Sequence, residues 1–177
     1  NTHIDMIDDY LMLDLYNAYV PVNGGLSFSS SSTFARGSHI INSIVGENVD
    51  IHGRVENSII FSNVRIDKHA VIKNSLVLPG SHIGHNALIV NSIIDEFSGD
   101  SSVPTIEPHA IIGSEKTAKV NKDFPEILDF GVTLIGKDAR IPSGMKIGGN
   151  CFVDSFIPYQ SLKLVKVLKD GETLFFK

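Results

Sequence analysis

Residues 42–95 read NSIVGENVDIHGRVENSIIFSNVRIDKHAVIKNSLVLPGSHIGHNALIVNSIID, and this stretch decides the fold because it is a repeat. Asn-Ser followed by two aliphatic residues recurs at 42–45, 57–60, 74–77 and 91–94. The first interval is 15 residues long and the next two are 17 residues long. A nearly fixed period of this kind is typical of solenoid proteins, in which each repeat stacks on the next.

The spacing inside each repeat predicts strands. Ile66 and Ala70, like Ile83 and Ala87, follow the hexapeptide pattern of an aliphatic residue and a small residue four positions later. Residues i and i+4 of a strand point to the same face, so each hexapeptide predicts a short strand with one buried face. Three such strands make a triangular coil, which buries its inner face only when coils stack. The expected fold class is therefore all-β, a parallel β-helix of hexapeptide repeats. Steps of 17 residues predict these inward columns: Val49, Ile66 and Ile83; Gly53, Ala70 and Ala87; Val55, Ile72 and Ile89; Ile59, Leu76 and Ile93; Ile60, Val77 and Ile94.

The repeat weakens between Glu96 and Phe130 and then resumes. Residues 114–130 lack the hexapeptide pattern and predict a protruding loop insertion. The later hexads begin at Ile135, Ile141, Ile147 and Val153, with Ala139, Met145 and Cys151 as the residues four positions on. About five coils at ~4.8 Å each predict a prism on the order of 24 Å tall.

The two ends of the chain carry different patterns. Residues 2–16 space apolar residues by three and four, which predicts an amphipathic helix, and a Ser-rich run at 27–33 predicts a linker. We therefore expect residues 1–37 to be helix and linker, and residues 38–177 to be the β-helix domain. In the tail, two apolar stretches flank Asp170-Gly171, which predicts a C-terminal hairpin that caps the open end.

Composition excludes several classes of function. The 177 residues are 42% hydrophobic and 20% charged, with a formal net charge of -5, as in an ordinary folded protein. This charge gives no basic field for nucleic acid, and no apolar run approaches a membrane span. One cysteine, no N-glycosylation acceptor and no signal peptide indicate a cytoplasmic location. The chain begins with Asn1 rather than Met, which is consistent with a piece of a longer protein.

No motif of this sequence predicts a catalytic residue, a metal ligand or a cofactor site. The column of Asn57, Asn74 and Asn91 is expected at coil corners, where asparagine tolerates left-handed backbone angles and stacked amides can bond to one another. His52 and His69 stack one coil apart, but two imidazoles fall short of a zinc site. The Gly131 to Lys137 stretch has the glycine spacing of a phosphate-binding loop without the Ser or Thr that follows the lysine and without its strand-loop-helix setting. Inward-facing Cys151 is expected to be an apolar filler.

The 42–95 stretch resembles the C-terminal left-handed β-helix of ADP-glucose pyrophosphorylases, also called glucose-1-phosphate adenylyltransferases. The resemblance is carried by the Asn-Ser ladder, the IFSNVR run at 60–65 and the SIID run at 92–95. The GVTLIGKDARIPSG segment at 131–144 resembles the last strands of plant and bacterial members, and the opening helix resembles their interdomain helix. The resemblance implies left-handed coiling, an exception to the right-handed crossover rule.

The resemblance also implies a function. The family transfers an adenylyl group from ATP to glucose 1-phosphate, with Mg²⁺, to make ADP-glucose for glycogen synthesis, and it does so in an N-terminal domain that this chain lacks. Adenylyltransferase activity is therefore not expected of this chain alone. In the family the β-helix contributes to assembly and effector binding. The resemblance therefore implies a homo- or hetero-oligomer, with a tetramer expected. It also implies that this chain contacts the missing catalytic domain. One effector-binding lysine of plant members corresponds to Lys137, whereas Glu96 stands where a second would be. We expect Lys137 as a point charge and Arg140 as a bidentate fork to bind a phosphorylated effector.

Two alternatives stay open at this point. The first is a free-standing hexapeptide acyltransferase that binds coenzyme A, in which His82, His85 or His109 would deprotonate the acceptor. The second is a regulatory-type subunit of the same enzyme family, whose own catalytic domain is degenerate.

Overall fold

The computed structural model describes residues 31–100, 102–116 and 119–176, and it confirms the parallel β-helix. Every strand pair is parallel, and each coil contributes strands to successive faces of a prism. The first face consists of β1 (Thr33–Phe34), β4 (Asp50–Ile51), β7 (Arg65–Ile66) and β10 (His82–Ile83). The second consists of β2 (His39–Ile41), β5 (Arg54–Glu56), β8 (Val71–Lys73), β11 (Leu88–Val90), β13 (Ile111–Ile112), β15 (Lys146–Ile147) and β17 (Val167–Leu168). The third consists of β3 (Ile44–Val45), β6 (Ile59–Ile60), β9 (Leu76–Val77), β12 (Ser92–Ile94), β14 (Thr133–Ile135), β16 (Phe152–Val153) and β18 (Thr173–Leu174).

The core of this left-handed β-helix is a stack of aliphatic side chains, as predicted. Ile66, Ile72, Ile83 and Ile89 have no exposed surface, and inside the prism Ile83 stacks on Ile66 and Ile89 stacks on Ile72. Fully burying one such side chain stabilises a fold by ~1.5–3 kcal/mol, so the columns supply most of the driving force. Cys151 is also fully buried, and burial raises the pKa of its thiol.

The structure confirms three of the five predicted inward columns and corrects two. Val55, Ile72 and Ile89 pair in register, as do Ile60, Val77 and Ile94, and the column of Gly53, Ala70 and Ala87 is buried in the turns. Ile59, Leu76 and Ile93 also pair in register, but they lie outside the core because neighbouring residues of a strand point to opposite faces. Ile66, however, lies above Ile51 rather than above Val49. The reason is that the turn between β4 and β5 is only two residues long, so this step of the column is 15 residues instead of 17.

The β-helix is taller than predicted. Seven strands stack on each of two faces, instead of the five coils expected, which at the same ~4.8 Å per coil gives about 34 Å. One extra coil begins at Thr33, inside the 1–37 segment that we expected to be helix and linker. The predicted helix at 2–16 lies outside the described residues.

The predicted C-terminal hairpin is wrong, and the tail supplies the other extra coil. β17 pairs in parallel with β15, and β18 pairs in parallel with β16, so Asp170 and Gly171 form a coil corner. Parallel pairing wins because each tail strand can continue a face that already exists. A helix, α1 (Tyr159–Leu164), precedes β17, and its Leu162 side chain is fully buried in the core. No helix in the described part of the chain is long and apolar enough to span a membrane.

The segment at 114–130 forms no strand in its described residues and packs against the last coils. Asn121 and Leu128 of this segment are buried, and the Asn121 amide donates to the Asn150 carbonyl at 2.8 Å. In return, Oδ1 of Asn150 accepts the Gly131 N–H at 2.6 Å, and its amide donates to the Lys119 carbonyl at 3.2 Å. Two buried asparagines therefore fix this loop to the prism, a role that their sequence context did not indicate.

Candidate functional site

Lys137 lies at the corner that follows β14, where the chain turns from the third face to the first. Its ammonium group forms a salt bridge with the Glu96 carboxylate. This hydrogen bond raises the pKa of Lys137, and the nearby carboxylates of Asp138 and Asp95 act in the same direction. Asp138 has a left-handed backbone and accepts hydrogen bonds from the Ser98 N–H and hydroxyl, the former at 2.6 Å. The surroundings of Lys137 are therefore acidic.

Arg140 is also paired, but with a different carboxylate. Its Nη2 lies 2.6 Å from Oε1 of Glu107, and its guanidinium carbon lies 4.5 Å from the centre of the Tyr159 ring. The Tyr159 hydroxyl donates to the same Glu107 oxygen at 2.5 Å, and the Ser143 N–H donates to the other oxygen at 3.0 Å. Lys163 lies over the Tyr159 ring as well, at 4.6 Å. The result is a compact cluster at the end of the prism that joins α1 to the coils.

The donors of this cluster set the ionisation of Glu107. Burial alone would raise the pKa of its carboxyl, but the hydrogen bonds from Tyr159 and Ser143 and the charge of Arg140 outweigh burial and lower it. Glu107 follows Ile106 in a hexad, and acidic residues are common at that position. The hexapeptide pattern is therefore consistent with an acidic residue here. Tyr159 carried no sequence signal, because it belongs to a helix that the hexapeptide pattern did not predict.

Lys137 and Arg140 thus belong to two separate groups, each neutralised by its own carboxylate. On the 114–130 segment, the Lys122 ammonium also has a carboxylate partner, since it lies 3.4 Å from Glu172. An anion that binds Lys137 has to displace Glu96 or share the lysine with it. The effector-binding role of Lys137 and Arg140 remains a prediction.

The three histidines of the acyltransferase alternative have different environments. His82 is almost completely buried, and its Nε2 lies 3.0 Å from Oδ2 of Asp67. His85 and His109 are exposed corner residues whose ring centres lie 5.1 Å apart, edge to face. Burial excludes His82 from contact with an acceptor substrate in this chain, so only the exposed pair could serve as the base.

The predicted asparagine ladder is confirmed in detail. Asn42, Asn57, Asn74 and Asn91 all have left-handed backbone angles, with φ between 44° and 48°. Each amide donates to the next oxygen along the column, at 3.0, 3.3 and 3.1 Å, and Asn91 donates to the Ser114 carbonyl at 2.7 Å.

A serine ladder runs beside the asparagine ladder, and sequence reasoning missed it. The hydroxyl oxygens of Ser43, Ser58 and Ser75 each accept the backbone N–H of the serine one coil on, at 3.1 to 3.2 Å. The hydroxyls of Ser43, Ser58, Ser75 and Ser92 each donate to the carbonyl two residues earlier. The Asn-Ser signature is therefore a structural device for the corner.

The described residues contain no group of three or more His, Cys, Asp or Glu side chains that could hold a metal ion.

Comparison with known proteins extends these observations. Residues 27–135 match the family described as GlmU-like, C-terminal hexapeptide. The chain is 45% identical over 140 residues to a glucose-1-phosphate adenylyltransferase of Pseudothermotoga lettingae, a match that covers 79% of this chain and 31% of that protein. It is 32% identical over 153 residues to the enzyme of the same name in Acetivibrio thermocellus, with 74% and 30% covered. The chain thus spans about a third of the length of these curated relatives.

One solved structure with a similar course is PerB from Caulobacter crescentus in complex with CoA and GDP-perosamine. It is 14% identical, has a TM-score of 0.38 and covers 82% of this chain and 54% of its own. A likeness this low says nothing about function. The hexapeptide match covers more than half of the chain, and the two adenylyltransferases match across the same coils. The chain therefore belongs to the GlmU-like C-terminal hexapeptide family, and it resembles the C-terminal β-helix of glucose-1-phosphate adenylyltransferases.

Proposed function

We propose that this chain is the assembly and regulatory β-helix of a glucose-1-phosphate adenylyltransferase, the enzyme that makes ADP-glucose from ATP and glucose 1-phosphate for glycogen synthesis. The observation that carries the proposal is the 45% identity to such an enzyme over 140 residues. The Asn-Ser signature inside this region is structural, but the corner that holds Lys137 is solvent-accessible and charged. The proposal assigns the transfer chemistry, and the Mg²⁺ that it requires, to another domain of the parent protein.

The arrangement of the prism is suited to an assembly role. Stacked coils form a stiff rod, because every coil is bonded to its neighbours along at least two faces. Large apolar side chains remain exposed near the C-terminal end, including Ile127, Phe130 and Phe156, which are 58 to 77% exposed. Exposed apolar surface of this kind favours contact with another domain or subunit. These features support a scaffold that holds catalytic domains in a fixed arrangement.

A domain exchange tests the proposal. The matching segment of the Pseudothermotoga lettingae relative would be replaced by this 177-residue chain, and a truncated enzyme without the segment would be the control. We expect the exchange to restore the oligomeric state and the effector response that truncation removes, measured by light scattering and pyrophosphate release. Equal assembly and equal effector response in the exchanged and truncated enzymes would contradict the proposal.

The purified 177-residue chain supplies the complementary measurement. We expect pyrophosphate release from ATP and glucose 1-phosphate to equal the protein-free background. Turnover above that background would overturn the assignment of the transfer chemistry to another domain. Saturable binding of coenzyme A that is removed by His85→Ala and His109→Ala would favour the acyltransferase alternative instead.

A further inference from the structure

One coil corner is shorter than all the others described at its edge. At the corner between the first and second faces, five described coils use four-residue turns, namely 35–38, 67–70, 84–87, 107–110 and 142–145. The turn between β4 and β5 contains only His52 and Gly53. This missing pair of residues also causes the 15-residue interval in the sequence repeat.

The short turn leaves a recess between the longer turns of the coils below and above. Gly53 is buried at its base, and a Cβ there would lie 2.4 Å from the Ala70 carbonyl oxygen, so only glycine fits. The recess has a volume of about 570 Å³ and is bordered by turn 35–38 on one side and turn 67–70 on the other. We call this recess the short-turn notch.

The short-turn notch is lined by cationic and imidazole side chains. These are Arg36, His39, His52, Arg54, Lys68 and His69. Two of them have carboxylate partners, because His52 lies 3.0 Å from Asp50 and Arg54 pairs with Glu56. Arg36 and Lys68 form no salt bridge within the described residues, in contrast to Lys137 and Arg140. An adjoining depression shares His52, Lys68 and His69 and adds His85 and the Arg65–Asp67 pair.

This concentration of positive charge runs against the net charge of the chain, which is -5. Arg36 belongs to the turn on one side of the notch and Lys68 to the turn on the other side. A multiply charged anion in the notch could therefore interact with both cations. Arginine offers a planar fork and lysine a point charge, which together suit phosphoryl oxygens, and neutral imidazole can donate one further hydrogen bond.

We propose that the short-turn notch binds a small phosphorylated anion, held between Arg36 and Lys68, with His52 and His69 as further donors. The site spans the first three coils, away from Lys137, and it does not depend on the proposed enzymatic role. The shape of the notch makes the site specific to this corner, since the four-residue turns elsewhere fill the equivalent space.

The experiment is calorimetric titration of the 177-residue chain with inorganic pyrophosphate at low ionic strength. We expect saturable binding at one site and at least a tenfold weaker Kd in Lys68→Ala and in Arg36→Gln. The matched control is Lys146→Ala, an exposed lysine on the second face near the other end of the prism, which should leave the Kd unchanged. Both notch residues are exposed, so these variants should fold normally, as checked by circular dichroism.

A second variant tests the shape of the notch rather than its charge. Two residues inserted between His52 and Gly53 would restore a four-residue turn and fill the notch while keeping every cation. We expect this variant to lose pyrophosphate binding. The absence of saturable binding to the unmodified chain would overturn the proposal. So would an unchanged Kd in Lys68→Ala and Arg36→Gln, an equal loss in Lys146→Ala, or a loss caused by Lys137→Ala, which would place the anion at the other corner.

Discussion

The side-chain amide of Asn74 donates to Oδ1 of Asn91 on the next coil at 3.1 Å, while its own oxygen accepts from Asn57 at 3.3 Å. Asn74 also has a left-handed backbone with φ of 48°, where a Cβ is unfavourable. Asparagine therefore suits this corner for two reasons. It tolerates the left-handed backbone conformation, and its side-chain amide reaches the asparagine of the next coil.

The ladder leads to a first prediction about stability. Asn74→Ala removes two hydrogen bonds and keeps a Cβ in the left-handed region, so we expect a loss of ~2–3 kcal/mol in the free energy of unfolding. Asn74→Gly also removes the hydrogen bonds but relieves the backbone, and it should be more stable than Asn74→Ala by about 1 kcal/mol. Urea denaturation of the two variants measures the difference. Equal midpoints would show that the corner does not constrain this backbone.

The inward columns give a second prediction. Ile72 is fully buried between Val55 and Ile89, so Ile72→Asp places a carboxylate among aliphatic side chains without a partner. We expect this variant to lose the folded state, because such a substitution costs more than ~4 kcal/mol. Lys73→Ala is the adjacent control. Its side chain lies on the outer face with Glu115 and Glu56, and we expect a nearly unchanged melting temperature. Similar melting temperatures for both variants would contradict the register.

A third prediction concerns the acid stability of the Glu107 cluster. The pKa of Glu107 is lower in the folded chain than in the unfolded chain, so its contribution is fully present above the unfolded value of about 4.3 and is lost as the pH falls through the folded value. Glu107→Gln should therefore destabilise the fold near neutral pH, and its stability should converge on that of the unmodified chain in acid.

Tyr159→Phe provides the matched test of the same cluster. It removes one donor to Glu107, which should raise the pKa of that carboxyl and move the acid-induced loss of stability to higher pH. Thermal melting across a pH series measures both variants. Stability curves that stay parallel to that of the unmodified chain at every pH would show that Glu107 does not supply this linkage.

The fourth prediction tests Lys137 as an effector ligand in the domain-exchanged enzyme. If Lys137 binds a phosphorylated effector, Lys137→Ala should raise the effector concentration needed for half-maximal activation. Glu96→Gln should lower that concentration, because it frees the ammonium from its carboxylate partner. Lys122→Ala, on the loop and paired with Glu172, is the control. Activation by sugar phosphates and three-carbon phosphates measures the effect. If none of the variants changes activation, Lys137 is an ordinary surface lysine.

The sequence by itself determined the repeating part of this protein. Aliphatic residues at hexapeptide spacing can be buried only if strands stack in parallel coils, so Ile66, Ile72 and their equivalents specified the prism and most of its register. The asparagine ladder could also be predicted from the sequence. Asparagine tolerates left-handed backbone angles, and the repeat places an asparagine at the same corner of successive coils, where the side-chain amides can bond to one another.

Tertiary structure alone decided the parts in which the repeat changes length or ends. The two-residue turn at His52 and Gly53 moved Ile51 under Ile66, and periodicity could not place the missing residues within the coil. The tail became a coil instead of a hairpin because open faces of the prism were available to its strands, which local turn signals do not reveal. The partners of Lys137 and Arg140 were likewise fixed only in three dimensions, since Glu96 and Glu107 lie 41 and 33 residues away along the chain. Which side chains meet across a corner depends on how the insertions fold back on the prism. Hexapeptide spacing does not predict how the insertions fold.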